Sequence, residues 1–463
     1  MDPRASSPGV ALLASITAFT LVIIGTTVVN VALPAIHSDL GSSVAGLQWV
    51  INAYTLMLAS LLLSMGALCD QRGARRVMLG GVWLFIAGAT VATLAPNLGL
   101  LLAGQVLLGT GAAALLPAAL ALISHAYPDD RRRARAIGLF ASASAVSIGL
   151  GPVVGGLLID VVGWRAIFAM DVPLALLVAV LVLRGVGDTP HRRVGGLDLG
   201  GQLCAIIALG SLTFALIEGG SAGWASPNTL GALALVLVSC TAFLRVERHG
   251  SAPMLPLSLF ASREFSVSAV AGLLVNFGIY GLFFVLSLYL QQIRGLSPLQ
   301  TGVIFLVQPG TAAFAALPAG AVTARRGPRL PVALGGLFAT LGALLLLSVD
   351  RHSGYLAVVA GLMLLGLGGG TSIPALTAAV ISGSPRARVG VAGATFTVSR
   401  QTGGILGVAV LGAMVGHGEF VHGLHVATAI AAVALAMSGL AGGLVFLTGP
   451  RQPGVGAPGA AAA

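Results

Sequence analysis

Long apolar runs alternate with short polar ones along the whole chain. Fourteen runs fall near residues 10–33, 46–66, 77–94, 98–123, 137–159, 166–183, 199–217, 229–244, 266–290, 299–320, 330–348, 355–381, 391–412 and 424–448. A helix needs about 20 apolar residues to cross the hydrocarbon core of a bilayer, and each run is near that length. The pattern predicts an all-α integral membrane protein. Alternating strands of a membrane barrel are excluded, because the runs are continuous and too long. Internal glycine and proline do not argue against the helices, since membrane helices tolerate both. Between the second and third runs lies a charged island at 66–76, GALCDQRGARR. It reads as a tight loop at one membrane face, its glycines allowing a close turn and its arginines reaching water and headgroups.

Charge sets the orientation. All 24 basic residues are arginine. With fourteen crossings, the face that holds the island also receives Arg4, Arg72, Arg75, Arg76, Arg131, Arg132, Arg133, Arg135, Arg184, Arg192, Arg193, Arg245, Arg248, Arg263, Arg325, Arg326, Arg329, Arg386, Arg388 and Arg451. The opposite face has Arg165, Arg294 and Arg351, and Arg400 falls inside an apolar run. The positive-inside rule makes the arginine-rich face cytoplasmic. The expected protein is multi-pass in the cytoplasmic membrane with both termini inside. The net charge of +10 is thereby a topology signal and not a nucleic-acid patch.

Composition removes other classes. The chain is 57% hydrophobic and 8% charged, against about a quarter charged in soluble domains. The longest polar loops, near 184–198 and 245–265, leave no room for a soluble domain. No GxxxxGK[ST] run, HExxH or cysteine cluster occurs. Cys69, Cys204 and Cys240 have neither metal-ligand nor redox spacing. No enzyme activity, cofactor or metal is expected. The first run lacks a convincing cleavage site and reads as a retained helix. The tail at 449–463 is low in complexity and is expected to be disordered.

A weak echo divides the chain. Gly66, Asp70, Arg72, Gly73 and Arg75 lie 254 residues before Gly320, Ala324, Arg326, Gly327 and Arg329. Parallel halves of this kind occur in secondary transporters. The expected units are a six-helix bundle at 10–183, an inserted pair at 199–244 and a second six-helix bundle at 266–448.

Several residues could do work in such a frame. Asp70, with Arg72, Arg75 and Arg76, either fixes topology only or forms a latch, the acid lying near a helix N-terminus and pairing with an arginine across the halves. In the run Gly149-Leu-Gly151-Pro152-Val-Val-Gly155-Gly156, small residues four apart allow close helix approach and Pro152 allows a bend. That seam suits a gate or a static contact. Arg400 is an intramembrane charge, hence a functional candidate. Asn30, Asn52, Tyr54, Gln105, Asn276, Gln291, Gln308 and Gln401 are candidate cavity residues, and Phe277, Tyr280, Phe283 and Phe284 candidate apolar walls.

The motifs together resemble the major facilitator superfamily, and most of all its fourteen-helix drug:proton antiporter branch, the EmrB/QacA-like multidrug exporters. The signature GxLxDrxGrR is met by Gly66, Leu68, Asp70, Arg72, Gly73, Arg75 and Arg76. The antiporter signature GxxxGPxxGG is similar to the 149–156 run, slightly compressed at its front. TxVNVALP appears at Thr27 to Pro34, WRxxFxxxxP at Trp164, Arg165, Phe168 and Pro173, YLQxxxGxSPLxxG from Tyr289 to Gly302, and RQxGGxxGxA from Arg400 to Ala409. The resemblance implies a major facilitator fold of 14 helices and alternating-access export of a hydrophobic drug or metabolite, cationic ones included. It also implies antiport against protons, with lipid bilayer as the surroundings and a functional monomer.

Two departures bear on the coupling. Where the family has an acid in helix 1 this chain has Gly25, and where it has an arginine in helix 4 this chain has Gln105. Joint loss of a buried pair is physically coherent, because either charge alone would be costly in lipid. Asp171, two residues before Pro173, stands where the family has Asn and is the candidate replacement proton carrier. It is alternatively an interfacial acid beside Arg165. Arg400 could neutralise Asp171 across the cavity or bind an anion. A narrow metabolite exporter, an uncoupled facilitator, and a non-transporting scaffold or sensor are the competing readings.

Overall fold

The computed structural model describes residues 7–188, 196, 198–250, 254–385, 388–416 and 418–445. Arg4, Arg192, Arg193, Arg386, Arg451 and the tail at 449–463 lie outside them. Fourteen helices long and apolar enough to cross a membrane are present among the described residues. They are α1 (Pro8–Leu40), α2 (Val44–Arg72), α3 (Ala74–Thr93), α4 (Leu98–Ala126), α5 (Asp130–Val161), α6 (Arg165–Gly185) and α7 (Leu199–Ser221). Then follow α8 (Pro227–His249), α9 (Arg263–Ile293), α10 (Pro298–Arg326), α11 (Arg329–Leu346), α12 (Tyr355–Ser382), α13 (Val389–Val415) and α14 (Phe420–Val445). Each predicted run has its helix, and most helices extend a turn or more beyond the apolar stretch.

The island at 66–76 differs from the expected loop. α2 continues through Arg72 and α3 begins at Ala74, so Gly73 alone makes the turn. Its φ of 87° needs glycine, and its N–H donates to the Cys69 carbonyl at 2.9 Å. Asp70 accordingly sits in the last turn of α2, three residues before the turn into α3. The echo at Gly327 has the same geometry, with φ 82° and an N–H donated to Thr323 at 2.9 Å.

A stronger repeat lies in the packing. A Cβ on Gly81 of α3 would lie 3.0 Å from the Gly111 carbonyl oxygen of α4, and one on Gly88 would lie 2.9 Å from that of Gly104. In α11 and α12, Gly335 stands 2.7 Å from the Gly368 carbonyl oxygen and Gly342 2.8 Å from that of Gly361 on the same construction. Both helix pairs are zipped by glycines seven apart, so their backbones nearly touch. Close approach gives dispersion contact that bulkier residues would forfeit in lipid.

The helices pack as two groups. In the first, α3 and α2 pack on α4, α1 on α5, and α6 on α1 and α3. In the second, α9 packs on α13 and α14, α10 and α11 on α12, and α11 on α14. α7 and α8 pair with each other, and α7 docks the pair, touching α2 of one group and α13 of the other.

Candidate transport path and gate

The hydrogen bonds that join the two groups gather toward the arginine-poor face. Gln48 of α2 donates its amide to the carbonyls of Val408 and Ala409 on α13, both at 2.7 Å. Ser287 of α9 donates to the Asn30 carbonyl of α1, and Gln291 donates to the Val31 carbonyl at 3.1 Å. Asp160, at the end of α5, accepts from the Ser297 hydroxyl at 3.0 Å and the Leu299 N–H at 3.2 Å. A carboxylate of one group thus caps the N-terminus of a helix in the other, where the helix dipole favours it.

The 149–156 run uses two faces. Gly151 and Gly155 admit Thr27 and Val28 of α1, within the first group. Gly149 and Gly156 face α10, where a Cβ on Gly156 would lie 2.5 Å from the Pro298 carbonyl oxygen. Gly302 of α10 returns the contact, its Cβ position being 2.2 Å from the Pro152 carbonyl oxygen. One face holds α5 to its own group and the other closes the joint. Further toward the arginine-rich face, Ile137, Leu139 and Val146 on α5 and Phe314 and Leu317 on α10 are exposed. Among the described residues, the hydrogen bonds between the two groups close the joint at the arginine-poor face, and none joins them nearer the arginine-rich face.

The polar residues inside take several roles. Gln105 donates to the Val50 carbonyl of α2 at 2.7 Å, and Tyr54 donates to the Val22 carbonyl of α1 at 3.0 Å. Asn30 turns its amide onto its own helix. These three and Gln291 are occupied in joining or bracing helices. Asn52 and Asn276 are buried, with both side-chain polar atoms of Asn52 and the Nδ2 of Asn276 lacking partners. Gln308 is nearly buried against α12, and Gln401 is half-buried. A Cβ on Gly25 would lie 3.4 Å from the Tyr54 hydroxyl. Positions 25 and 105, where charges were expected from the resemblance, therefore meet at one stretch of α2, filled by a tyrosine and an amide.

Asp171 is 3% exposed, and its Oδ1 has no hydrogen-bond partner. It opens the second piece of α6 (Asp171–Gly185), six residues after Arg165, or about 9 Å along the helix. It lies within electrostatic reach of Tyr54. The alternative pairing with Arg165 is not made. Arg165 instead binds Asp39 at 2.6 Å and the Ala95 carbonyl at 2.9 Å, with Trp164 also donating to Asp39 at 3.0 Å. Nor does Arg400 neutralise Asp171. Arg400 lies on α13 in the other group, its guanidinium 5.9 Å over the Phe396 ring and near Tyr280.

The expected latch is also open here. Asp70, Arg72 and Arg76 are exposed, and none of the ion pairs among the described residues includes them. Arg75 pairs with Asp188 at 2.9 Å, tying α3 to the end of α6 within one group. Gln48, Asp160, Asp188 and Ser287 were missed by sequence reasoning. Each sits near a helix end and is unremarkable until its partner, from 113 to 361 residues away, is known.

Comparison with known proteins agrees with this architecture. The profile of the Major Facilitator Superfamily matches residues 16–408 and 268–462. Multidrug resistance protein Stp of Mycobacterium tuberculosis is 35% identical over 85% of this chain and 73% of that protein. The methylenomycin A resistance protein of Bacillus subtilis is 33% identical over 89% and 88%. The puromycin resistance protein pur8 of Streptomyces alboniger is 36% identical over 89% and 82%. Among solved structures, a peptide transporter POT bound to sulfate superposes with a TM-score of 0.71 at 18% identity, over 94% of this chain and 93% of that one. A bacterial homologue of the lysosomal transporter Spinster, inward-facing and unoccupied, gives 0.68 at 18%, over 96% and 99%. At that identity the superpositions speak for the fold alone.

Proposed function

The chain belongs to the major facilitator superfamily, and on that premise we propose that it exports hydrophobic drugs or metabolites by alternating access, coupled to proton antiport through Asp171. It is a multi-pass membrane transporter rather than an enzyme, and its relatives carry the names of drug and antibiotic resistance proteins. The arginine-rich face is cytoplasmic, with both termini on that side. The six helices α1–α6 and the six helices α9–α14 rock as two bodies about the path between them, α7 and α8 travelling with the seam. The path runs within one chain, which suits a functional monomer. In this state substrate enters from the cytoplasm. When the outer contacts part, the inner ends meet, and Asp70 of the signature comes to an arginine of the opposite body as the latch.

The observation that carries the coupling is the buried carboxylate of Asp171, whose Oδ1 has no hydrogen-bond partner and which lies within electrostatic reach of Tyr54. A lone charge there is costly, so uptake and release of a proton alter what the surrounding helices tolerate. Dye efflux from overexpressing cells tests it. Collapse of the proton gradient by an uncoupler abolishes efflux, and Asp171→Asn removes the gradient dependence. Efflux that survives the uncoupler, or an Asp171→Asn protein that retains gradient-driven export, overturns the assignment. The neutral pair Gly25 and Gln105 favours a second reading, an uncoupled facilitator or a narrow metabolite exporter. That reading gains if a broad compound panel yields no efflux or a gradient-independent one.

A further inference from the structure

Arg400 stands 11 residues into α13, about 16 Å from its cytoplasmic end at Val389. Of the 14 acidic residues in the chain, those in α9–α14 and their loops are Glu264, Asp350 and Glu419. Glu264 lies in the first turn of α9, eight residues before Gly272. Asp350 and Glu419 lie at the outer face, where they approach His425 and Arg351. Asp171 belongs to the other body, within electrostatic reach of Tyr54. The guanidinium therefore has no carboxylate, and its Nε has no hydrogen-bond partner. An arginine in lipid-facing sequence is tolerated where it faces a bundle interior or a water-filled path.

The surroundings are built for it. Gly272 of α9 lacks the side chain that would collide with the Arg400 stem, a Cβ there lying 3.1 Å from Arg400 Cγ and 2.6 Å from the Phe396 ring. One turn along the same face of α9 is Asn276, 1% exposed, whose amide nitrogen also lacks a partner. A further turn on, Tyr280 packs on Gly404 of α13 and lies within electrostatic reach of Arg400. A guanidinium and an amide nitrogen, both short of an acceptor, thus stand along one face beside a phenol and an aromatic ring. What is missing is an acceptor carrying negative charge, with an apolar body to lie on the rings.

We propose that Arg400, with Asn276 and Tyr280, forms a carboxylate-binding subsite in the transport path, so that the preferred substrates are amphipathic anions rather than cations. This rests on the export reading for the word substrate, but the site itself is tested by binding alone. Three matched probes are titrated into the purified full chain: pyrenebutyrate, the neutral pyrenebutanol and a pyrenebutyl trimethylammonium salt. Wild type binds the carboxylate on the order of tenfold tighter than the alcohol, with the ammonium weakest, as a charge-assisted hydrogen bond requires. Arg400→Gln lowers carboxylate affinity to that of the alcohol while moving the alcohol less than about twofold, and Arg400→Lys keeps part of the preference. Asn276→Leu weakens the carboxylate selectively and serves if Arg400→Gln does not fold. Wild type that binds the ammonium as tightly as the carboxylate, or an Arg400→Gln protein that keeps the carboxylate preference, overturns the subsite. Anion preference in binding with no movement of any probe in proteoliposomes would instead sink the export reading and leave the subsite standing.

Discussion

Two of the seams between the halves of this protein are made differently. Along α5 and α10 the backbones themselves meet, Gly156 against Pro298 and Gly302 against Pro152, with Asp160 capping α10 at the rim. Along α2 and α13 the contact is carried by side chains: the Gln48 amide on two carbonyls, then Leu56 and Ala59 against Ile405. This second seam also carries α7, which touches α2 at Phe214–Trp49, Gly210–Leu56 and Gln202–Ser60, and touches α13 where Gly220 meets Ala413. A seam of backbones tolerates no added atom, whereas in a seam of side chains an amide can exchange one carbonyl acceptor for another.

The largest effect tests the first half of that contrast. Gly156→Val places atoms within 2.5 Å of the Pro298 carbonyl oxygen, and overpacking of this kind costs about 1–3 kcal/mol. The outer ends should part, seen as a longer spin-label distance between the outer ends of α5 and α10. Gly151→Ala faces Thr27 inside one half, so it should lower thermal stability while leaving that distance unchanged. If both variants shift the distance alike, the division of the 149–156 run into two faces is wrong.

Gln48→Leu probes the other seam. It removes two hydrogen bonds whose carbonyls already serve their own helix, so the expected loss is about 1–2 kcal/mol. Cysteine labelling near the outer end of α13 should rise severalfold, and unchanged labelling would mean the amide only fills space. Asp160→Asn should have the smallest effect, about 0.3–1 kcal/mol, because one acceptor oxygen survives and only the charge at the helix terminus is lost. The same spin-label pair on α5 and α10 reads it, and a shift as large as that of Gly156→Val would make the cap, not the glycines, the main closure.

All fourteen crossings were legible from hydropathy, because each helix must hide its backbone from lipid and writes that need as an apolar run. The turn at Gly73 was not. Leu68 to Arg72 can continue a helix into water, and only the positive φ at a single glycine marks its end. Arg400 and Asp171 stand out in the sequence as charges within apolar runs, but pairing them required knowing which half and which face each occupies, and a run of apolar residues does not say. The glycines at 81, 88, 335 and 342 were visible at the same 254-residue offset as the loop echo. They become meaningful once each is matched to its neighbour on α4 or α12, which stand at a different offset.

One consequence follows from the placement of α7. Its contacts run down α2 from Trp49 to Ser64, about 22 Å of helix. That flank is shuttered against the lipid, whereas the α5–α10 flank has no such cover. Among the described residues, then, the two flanks of the joint are not alike: one is backed by a further helix and the other is bare.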